Sequence, residues 1–320
     1  MTDRSASQLW EAVIVGGGLA GLSAAVYLGR SRRRTLVLDH GHSMATWEEM
    51  VENYLGFPDG VSGTELLERS RRHARQFGAV LVHDEVLTIA RDDDDHSAFT
   101  LQGRAQTYRG RRVLLATGLT HELPDIAGSR DCLGKSVFFC KDCDGFRVQG
   151  RRIVIVGSRD EAAQYALAML AFSPSVLIAT HGEPPAWSRL WRDRLAEYGV
   201  PVRHERVAAL RHDGGAVRSL RFEGGEERPI DALFATRGDR FHTRLAQGLG
   251  AREDAEGQLA VDAEMRTSVG GLYAAGCVTP ANCQMIIAAG QGATAGQAIN
   301  RDLFEENLAH HALRVCEPAG

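Results

Sequence analysis

No stretch of the 320 residues approaches the roughly eighteen continuous apolar residues of a membrane-spanning helix. The N-terminal MTDRSASQLW is polar and runs into a strand, without the apolar core of a signal peptide. No membrane partner is therefore expected. The six cysteines lack framework spacing, in a chain too large to need disulfide staples, so a cytoplasmic, reducing location is the expectation. No second CxxC or His pair stands at a spacing that would complete a zinc site, and no metal is expected. Net charge is small, −4, which argues against nucleic acid as the main partner. The basic run Arg30 to Arg34 directly precedes an apolar strand and reads as a solvated helix end. Bias towards disorder is missing too: 44% of residues are hydrophobic and 24% charged, and the length suffices for two domains.

What is present begins with glycine. Ala12 to Val15 is a short apolar strand, Leu19 to Leu28 has helical spacing, and Thr35 to Leu38 is a second strand. Between the first two lies Gly16-x-Gly18-x-x-Gly21, with Ala20 inside it. The first glycine permits a tight turn, the second lets backbone N–H groups approach a pyrophosphate, and the third lets helix and strand touch. The helix N-terminus then favours phosphate charge. Asp39 ends the next strand roughly 20 residues on, where a carboxylate can accept ribose hydroxyls. Gly63 to Phe77 reads as an amphipathic helix, and short strands follow from Val80 to Leu115. The acidic DDDDH at 92–96 among them reads as a solvated hairpin turn. A second strand–turn–helix unit starts at Arg152 to Val156, with a helix from about Asp160 to Phe172, a strand from Ser175 to Ala179 and a helix near Trp187 to Glu197. Two such units predict an α/β protein of two doubly wound, Rossmann-like domains, the second inserted in the first. The expected boundaries are 1–123 and 245–320 for the outer domain and 124–244 for the inserted one.

Cys140-Lys141-Asp142-Cys143-Asp144-Gly145 follows the apolar Val137-Phe138-Phe139. A CxxC beside doubly wound units reads as a redox dithiol. Positive charge such as Lys141 favours the nucleophilic thiolate, and exchange needs one reachable cysteine and one that resolves the mixed disulfide. The remaining cysteines, Cys132, Cys277, Cys283 and Cys316, read as single small residues.

ENYLGFPDGVSG (52–63), Ala116-Thr117-Gly118, the CxxCDG at 140–145 and GLYAAG (271–276) stand in order and spacing that resemble the low-molecular-weight thioredoxin reductase family over essentially the whole length. The resemblance implies FAD in the outer domain, with Asn53, Gly118, Gly276, Cys277 and Gln284 joining Gly16, Gly18, Ala20, Gly21 and Asp39 around it. It implies a homodimer acting on thioredoxin or a similar disulfide. In that comparison Cys143 faces the flavin, Cys140 attacks the substrate disulfide, and Asp144 handles the proton.

Three positions depart from the family. In Gly157-Ser158-Arg159-Asp160-Glu161-Ala162 an arginine replaces the middle glycine of the second turn. The segment His181-Gly182-Glu183-Pro184-Pro185-Ala186-Trp187-Ser188 stands where the family's HRRxxxRA binds NADPH. Its three arginines are gone, each contact being worth about 1.5–3 kcal/mol, so NADPH is not expected, although Glu183 could serve the ribose of NADH. Gly276-Cys277 replaces the family's Gly-Asp. The reading that follows is a flavin-linked disulfide oxidoreductase independent of pyridine nucleotide. GHSMATWEE (41–49), LGKS (133–136) and FFCKDCDG (138–145) look most like diflavin-linked members. A second flavin would find Phe139, Phe146, Trp187 and Trp191 for stacking, and a ferredoxin-type donor belongs to a related branch. The rivals are an NAD(P)H-dependent thioredoxin reductase, an oxygen-using dithiol oxidase, and a non-catalytic flavin redox sensor.

Overall fold

A computed structural model describes residues 8–93, 95–236 and 238–313. The chain runs β1 (Leu9–Val15), α1 (Leu19–Arg30), β2 (Thr35–Asp39), α2 (Gly63–Gln76), β3 (Val80–His83), β4 (Val86–Arg91), β5 (Phe99–Gly103) and β6 (Thr107–Leu115). After β7 (Leu119–His121) come β8 (Val137–Phe138), α3 (Lys141–Asp144), β9 (Ile153–Val156), α4 (Asp160–Met169), β10 (Val176–Ala179) and α5 (Arg189–Glu197). Next are β11 (Val202–Arg203), β12 (Val207–Asp213), β13 (Ala216–Phe222), β14 (Glu227–Pro229) and β15 (Ala232–Ala235). The chain closes with β16 (Asp239–Phe241), α6 (Arg244–Gln247), β17 (Leu272–Ala274) and α7 (Met285–Ala309). Two compact units result, one of residues 1–46, 64–119 and 241–320, the other of 47–63 and 120–240.

The first unit is a sheet in the order β3-β2-β1-β6-β5-β4, with β17 also on β6. β1 is parallel to β2 and β6, whereas β5 runs antiparallel to both β4 and β6. α1 lies along α7, and the approach is too close for side chains: a Cβ on Gly292 would fall 2.0 Å from the Ala20 carbonyl oxygen. Gly292→Val should therefore force the helices apart. We expect a cost of about 3 kcal/mol and a fall of roughly 5–10 °C in the unit's melting temperature, read by calorimetry. Unchanged melting would show that α7 can shift without penalty.

Arg33 differs from the expectation of a solvated basic end. Its guanidinium bonds Glu11 at 3.1 Å and Asn300 at 2.7 Å, and Glu11 is buried, so this arginine, together with Arg34, whose N–H donates to Glu11 at 2.9 Å, compensates an interior charge. The acidic hairpin also differs. Asp92 is buried, and Arg109 (2.6 and 2.7 Å) and Thr100 (2.7 Å) donate to its carboxylate, holding its pKa well below the usual range. Asp94 of that run lies outside the described residues.

The second unit is a parallel sheet in the order β11-β10-β9-β15-β8, beside an antiparallel β12-β13-β14 layer. Both faces of the parallel sheet are covered, which is why β9, β10 and β15 are apolar at every position rather than alternating. Val154, Leu177 and Leu233 pack on one face, and Ile155, Ile178 and Phe234 on the other. Trp187 is buried in this second cluster, so it offers no open ring face for stacking, and the partly buried Trp191 packs against the same cluster. Phe146 is 75% exposed.

Candidate functional site

In the first unit, the glycine turn links β1 to α1. Gly16 has φ +110°, and a Cβ there would meet the Ala116 carbonyl oxygen at 2.2 Å; one on Gly21 would meet the Gly16 oxygen at 2.0 Å. Gly18 is different. It is the N-cap of α1, makes no side-chain cap, and a Cβ on it would find nothing nearer than Ser43 Oγ at 3.8 Å. The turn is thus packed tightly behind and open in front of helix N–H groups that have no intrahelical acceptor, a cradle that fits a dinucleotide pyrophosphate. Asp39 ends β2 beside it, accepting from Gly41 N at 3.2 Å and facing Arg71 at 3.4 Å. Gly118 closes the loop after β6, its oxygen accepting from His242 N at 3.1 Å. Gly276 comes against the same turn, a Cβ on it lying 3.0 Å from that of Ala20. Cys277 and Gln284 lie in the loop that follows, and Gln284 is the N-cap of α7. Asn53 belongs to the other unit, on the exposed stretch 52–53.

Cys277 and Cys283 correct the sequence reading. They form a disulfide, with Cα atoms 5.0 Å apart, rather than standing as single residues. Only their proximity across one loop joins them, and neither neighbouring sequence carries a motif that announces it. Cys132 is a buried free thiol, as expected of a small apolar residue; Cys316 lies outside the described residues.

In the second unit, β8 delivers the chain to Cys140, which caps α3, and Cys140 and Cys143 are joined in a disulfide with Cα atoms 5.3 Å apart. Cys143 N donates to Cys140 Sγ at 3.1 Å. Tyr165, from α4, fixes the approach: its hydroxyl donates to the Phe139 oxygen at 2.7 Å and accepts from Lys141 N at 2.5 Å. The Lys141 ammonium pairs with Asp142 at 2.7 Å, so its charge is directed to that neighbour rather than kept for the sulfurs.

Residues 47–49 of the first unusual segment meet the other two segments beside Phe139. Trp47 lies 6.2 Å from Phe139, Lys135 pairs with Glu49 at 3.3 Å, and a Cβ on Gly134 would fall 2.0 Å from the Trp47 oxygen. His121 stacks on Phe139 at 4.6 Å and bonds Asp239 through Nδ1 at 2.5 Å. Asp144, the residue after Cys143, is buried and lies 3.2 Å from Arg147. Burial pushes its pKa up to about 7; the Glu48 charge adds to the rise, and Arg147 opposes it. Glu48 is itself raised, chiefly by burial. Asp144 was legible in the CxxCDG motif. Glu48, His121, Arg147 and Tyr165 were not, since they come from separate segments that only folding assembles.

The second glycine turn is closed by its own chain. Ser158 Oγ donates to Glu183 at 2.6 Å, Ala186 N donates to the Ser158 oxygen at 2.7 Å, and Ser188 N to Asp160 at 2.5 Å. The neighbouring cavity, about 560 Å³, is lined by Asp125, Glu183, Glu205 and Glu223 as well as His181, His204 and Arg206. Arg206 is held by Asp125 at 3.2 Å and Glu223 at 3.3 Å. Arg203, behind it, binds Glu205 and Glu226. The carboxylates therefore engage the arginines nearby.

The family model described as pyridine nucleotide-disulphide oxidoreductase matches residues 10–296. A thioredoxin reductase of Treponema pallidum is 32% identical over 299 residues, covering 90% of this chain and 95% of that protein. A thioredoxin reductase of Listeria innocua is 30% identical over 315 residues, covering 95% and 96%. Among solved structures, HlmI aligns with a TM-score of 0.90 at 28% identity over 97% of each chain. The atypical thioredoxin reductase TRi of Desulfovibrio vulgaris Hildenborough is 35% identical over 93% of this chain and 99% of its own, with a TM-score of 0.53.

Proposed function

The chain belongs to the pyridine nucleotide-disulphide oxidoreductase family as a thioredoxin-reductase-like flavoprotein disulfide oxidoreductase, and on that footing we propose that it exchanges electron pairs between FAD and Cys140–Cys143 without NADPH. FAD, when bound, supplies the two-electron partner of the disulfide. Gly16, Gly18, Ala20 and Gly21 would hold its pyrophosphate, Asp39 its ribose, and Gly118, Gly276, Cys277, Gln284 and Asn53 the remainder. In exchange, the Cys140 thiolate attacks one sulfur of an external disulfide and forms a mixed disulfide. Cys143 then attacks Cys140 Sγ, closing Cys140–Cys143 and expelling the external thiolate. Asp144 holds a proton near neutral pH and gives it to the departing sulfur. Thioredoxin or a similar dithiol protein is the partner this chemistry suits, and a homodimer is the assembly that the family resemblance favours.

The observation that carries the independence from NADPH is the charge of the second site. Four carboxylates line the cavity beside the second turn, and Arg206, which lines it with them, already pairs with Asp125 and Glu223. A 2′-phosphate placed there would face repulsion where the family places three arginines. The electron donor then comes from another class, such as a ferredoxin, a second flavin or a dithiol.

The test is an anaerobic titration of the yellow protein with NADPH and, separately, NADH, following flavin absorbance. Flavin that stays oxidised with both, yet bleaches with dithiothreitol, is the expected result. Bleaching within seconds at micromolar NADPH or NADH would make this an ordinary pyridine-nucleotide-dependent reductase.

A further inference from the structure

The Cys277–Cys283 disulfide has no part in the exchange just described. It spans the loop between β17 and α7, and both cysteines are partly exposed. A staple is needed where little else holds a loop, and this loop is held by other means. Gly276 N donates to Gln291 Oε1 at 2.8 Å, and Thr279 Oγ1 to the Gly276 oxygen at 2.9 Å. Gln258 Nε2 donates to the Thr279 oxygen at 2.8 Å, and Leu259 N to the Val278 oxygen at 2.8 Å. Val278 and Thr279 are fully buried. Opening the sulfur–sulfur bond would leave all of these contacts in place. Cys132 offers the contrast: a fully buried thiol whose pKa burial raises, out of reach of any thiol reagent in the folded chain.

The two sulfurs are also unequal. Cys283 stands one residue before Gln284, the N-cap of the 25-residue α7, which makes no side-chain cap. The positive end of that helix favours a thiolate at 283 over one at 277, and the more stable thiolate is the better leaving group.

We propose that Cys277–Cys283 is a second redox-active disulfide, opened by an external dithiol. One thiolate of the dithiol attacks Cys277 Sγ, forming a mixed disulfide and releasing the Cys283 thiolate. The second thiolate of the dithiol then attacks the sulfur it shares with Cys277, releasing the Cys277 thiolate and leaving as a disulfide. The dithiol loses two electrons and two protons; the cysteine pair gains the electrons, and the protons pass to its sulfurs or to water. The dithiol comes either from a small molecule or from a peptide, and both are chemically competent.

The experiment treats the FAD-loaded protein anaerobically, without denaturant, with dithiothreitol and, separately, with a reduced peptide carrying a Cys-x-x-Cys pair. Excess iodoacetamide added to the folded protein, followed by peptide mass spectrometry, then reads each cysteine. We expect labelling of Cys277 and Cys283 to rise together by at least roughly tenfold over untreated protein while Cys132 stays unlabelled. Reaction with one reagent or both identifies the source of the dithiol. The C140S/C143S variant should give the same result, which separates this pair from Cys140–Cys143; the wild-type labelling decides the matter should that variant not fold. A bond that resists both reagents until denaturant also exposes Cys132 would overturn the proposal, as would full labelling of Cys277 and Cys283 before any reductant is added.

Discussion

Replacing Asp144 by asparagine should slow disulfide exchange by about 10²- to 10⁴-fold near pH 6.5, the range that a positioned proton donor contributes. The variant keeps the shape and the Arg147 contact but cannot carry a proton to sulfur. Because burial raises the Asp144 pKa to about 7, the wild-type rate at that step should fall as pH climbs through 7, when the acid form is lost. The Asp144→Asn rate should be flat over the same interval. The same shift bears on stability. A carboxyl whose folded pKa lies above its unfolded value binds more protons in the folded state between about pH 4 and 7. Its contribution to stability is therefore complete below that window and declines as pH rises through it. Asp144→Asn should remove that decline, which melting measured from pH 4 to pH 8 would detect. An unchanged rate together with an unchanged pH profile would exclude Asp144 as the proton carrier.

The larger effect belongs to the sulfurs. Cys143→Ser should lower reduction of the flavin by dithiothreitol by roughly a thousandfold or more, because removing one member of a nucleophilic pair abolishes the unit rather than part of it. Offered an external disulfide instead, Cys140 of the variant attacks one of its sulfurs and releases the other as a thiolate; no second thiolate resolves the mixed disulfide, and mass spectrometry should find the external thiol retained on Cys140. Full activity in the variant would mean that electrons reach the flavin by another path, and Cys277–Cys283 would be the first place to look.

How much of this was open to sequence reading depends on the range of the interaction. The glycine turns and the CxxC are local: a few adjacent residues fix the backbone, and the β1–α1 and β9–α4 units follow from strand and helix patterns next to them. Arg33 could not be placed that way, because its partners Glu11 and Asn300 lie at opposite ends of the chain. Nor could the Cys277–Cys283 bond, since two cysteines in one loop read the same whether or not their Cα atoms approach to 5.0 Å. The dithiol's surroundings illustrate the same limit. Trp47, Glu48, His121 and Arg147 are unremarkable apart, and only the packing of 47–63 with 120–240 sets them around the disulfide.

The interleaved path of the chain has a consequence during synthesis. The second unit is built from residues 47–63 and 120–240, so every strand of its sheet has been synthesised once β15 is complete. The first unit cannot close then, because β17 must still pair with β6, and α7 must still seat Gly292 on Ala20. The unit bearing the Cys140–Cys143 pair is therefore free to fold while the first unit, its β1–α1 glycine turn uncovered, waits for residues 241–320. A nascent chain arrested near residue 270 should already protect the 120–240 region from protease while leaving 1–46 open to it.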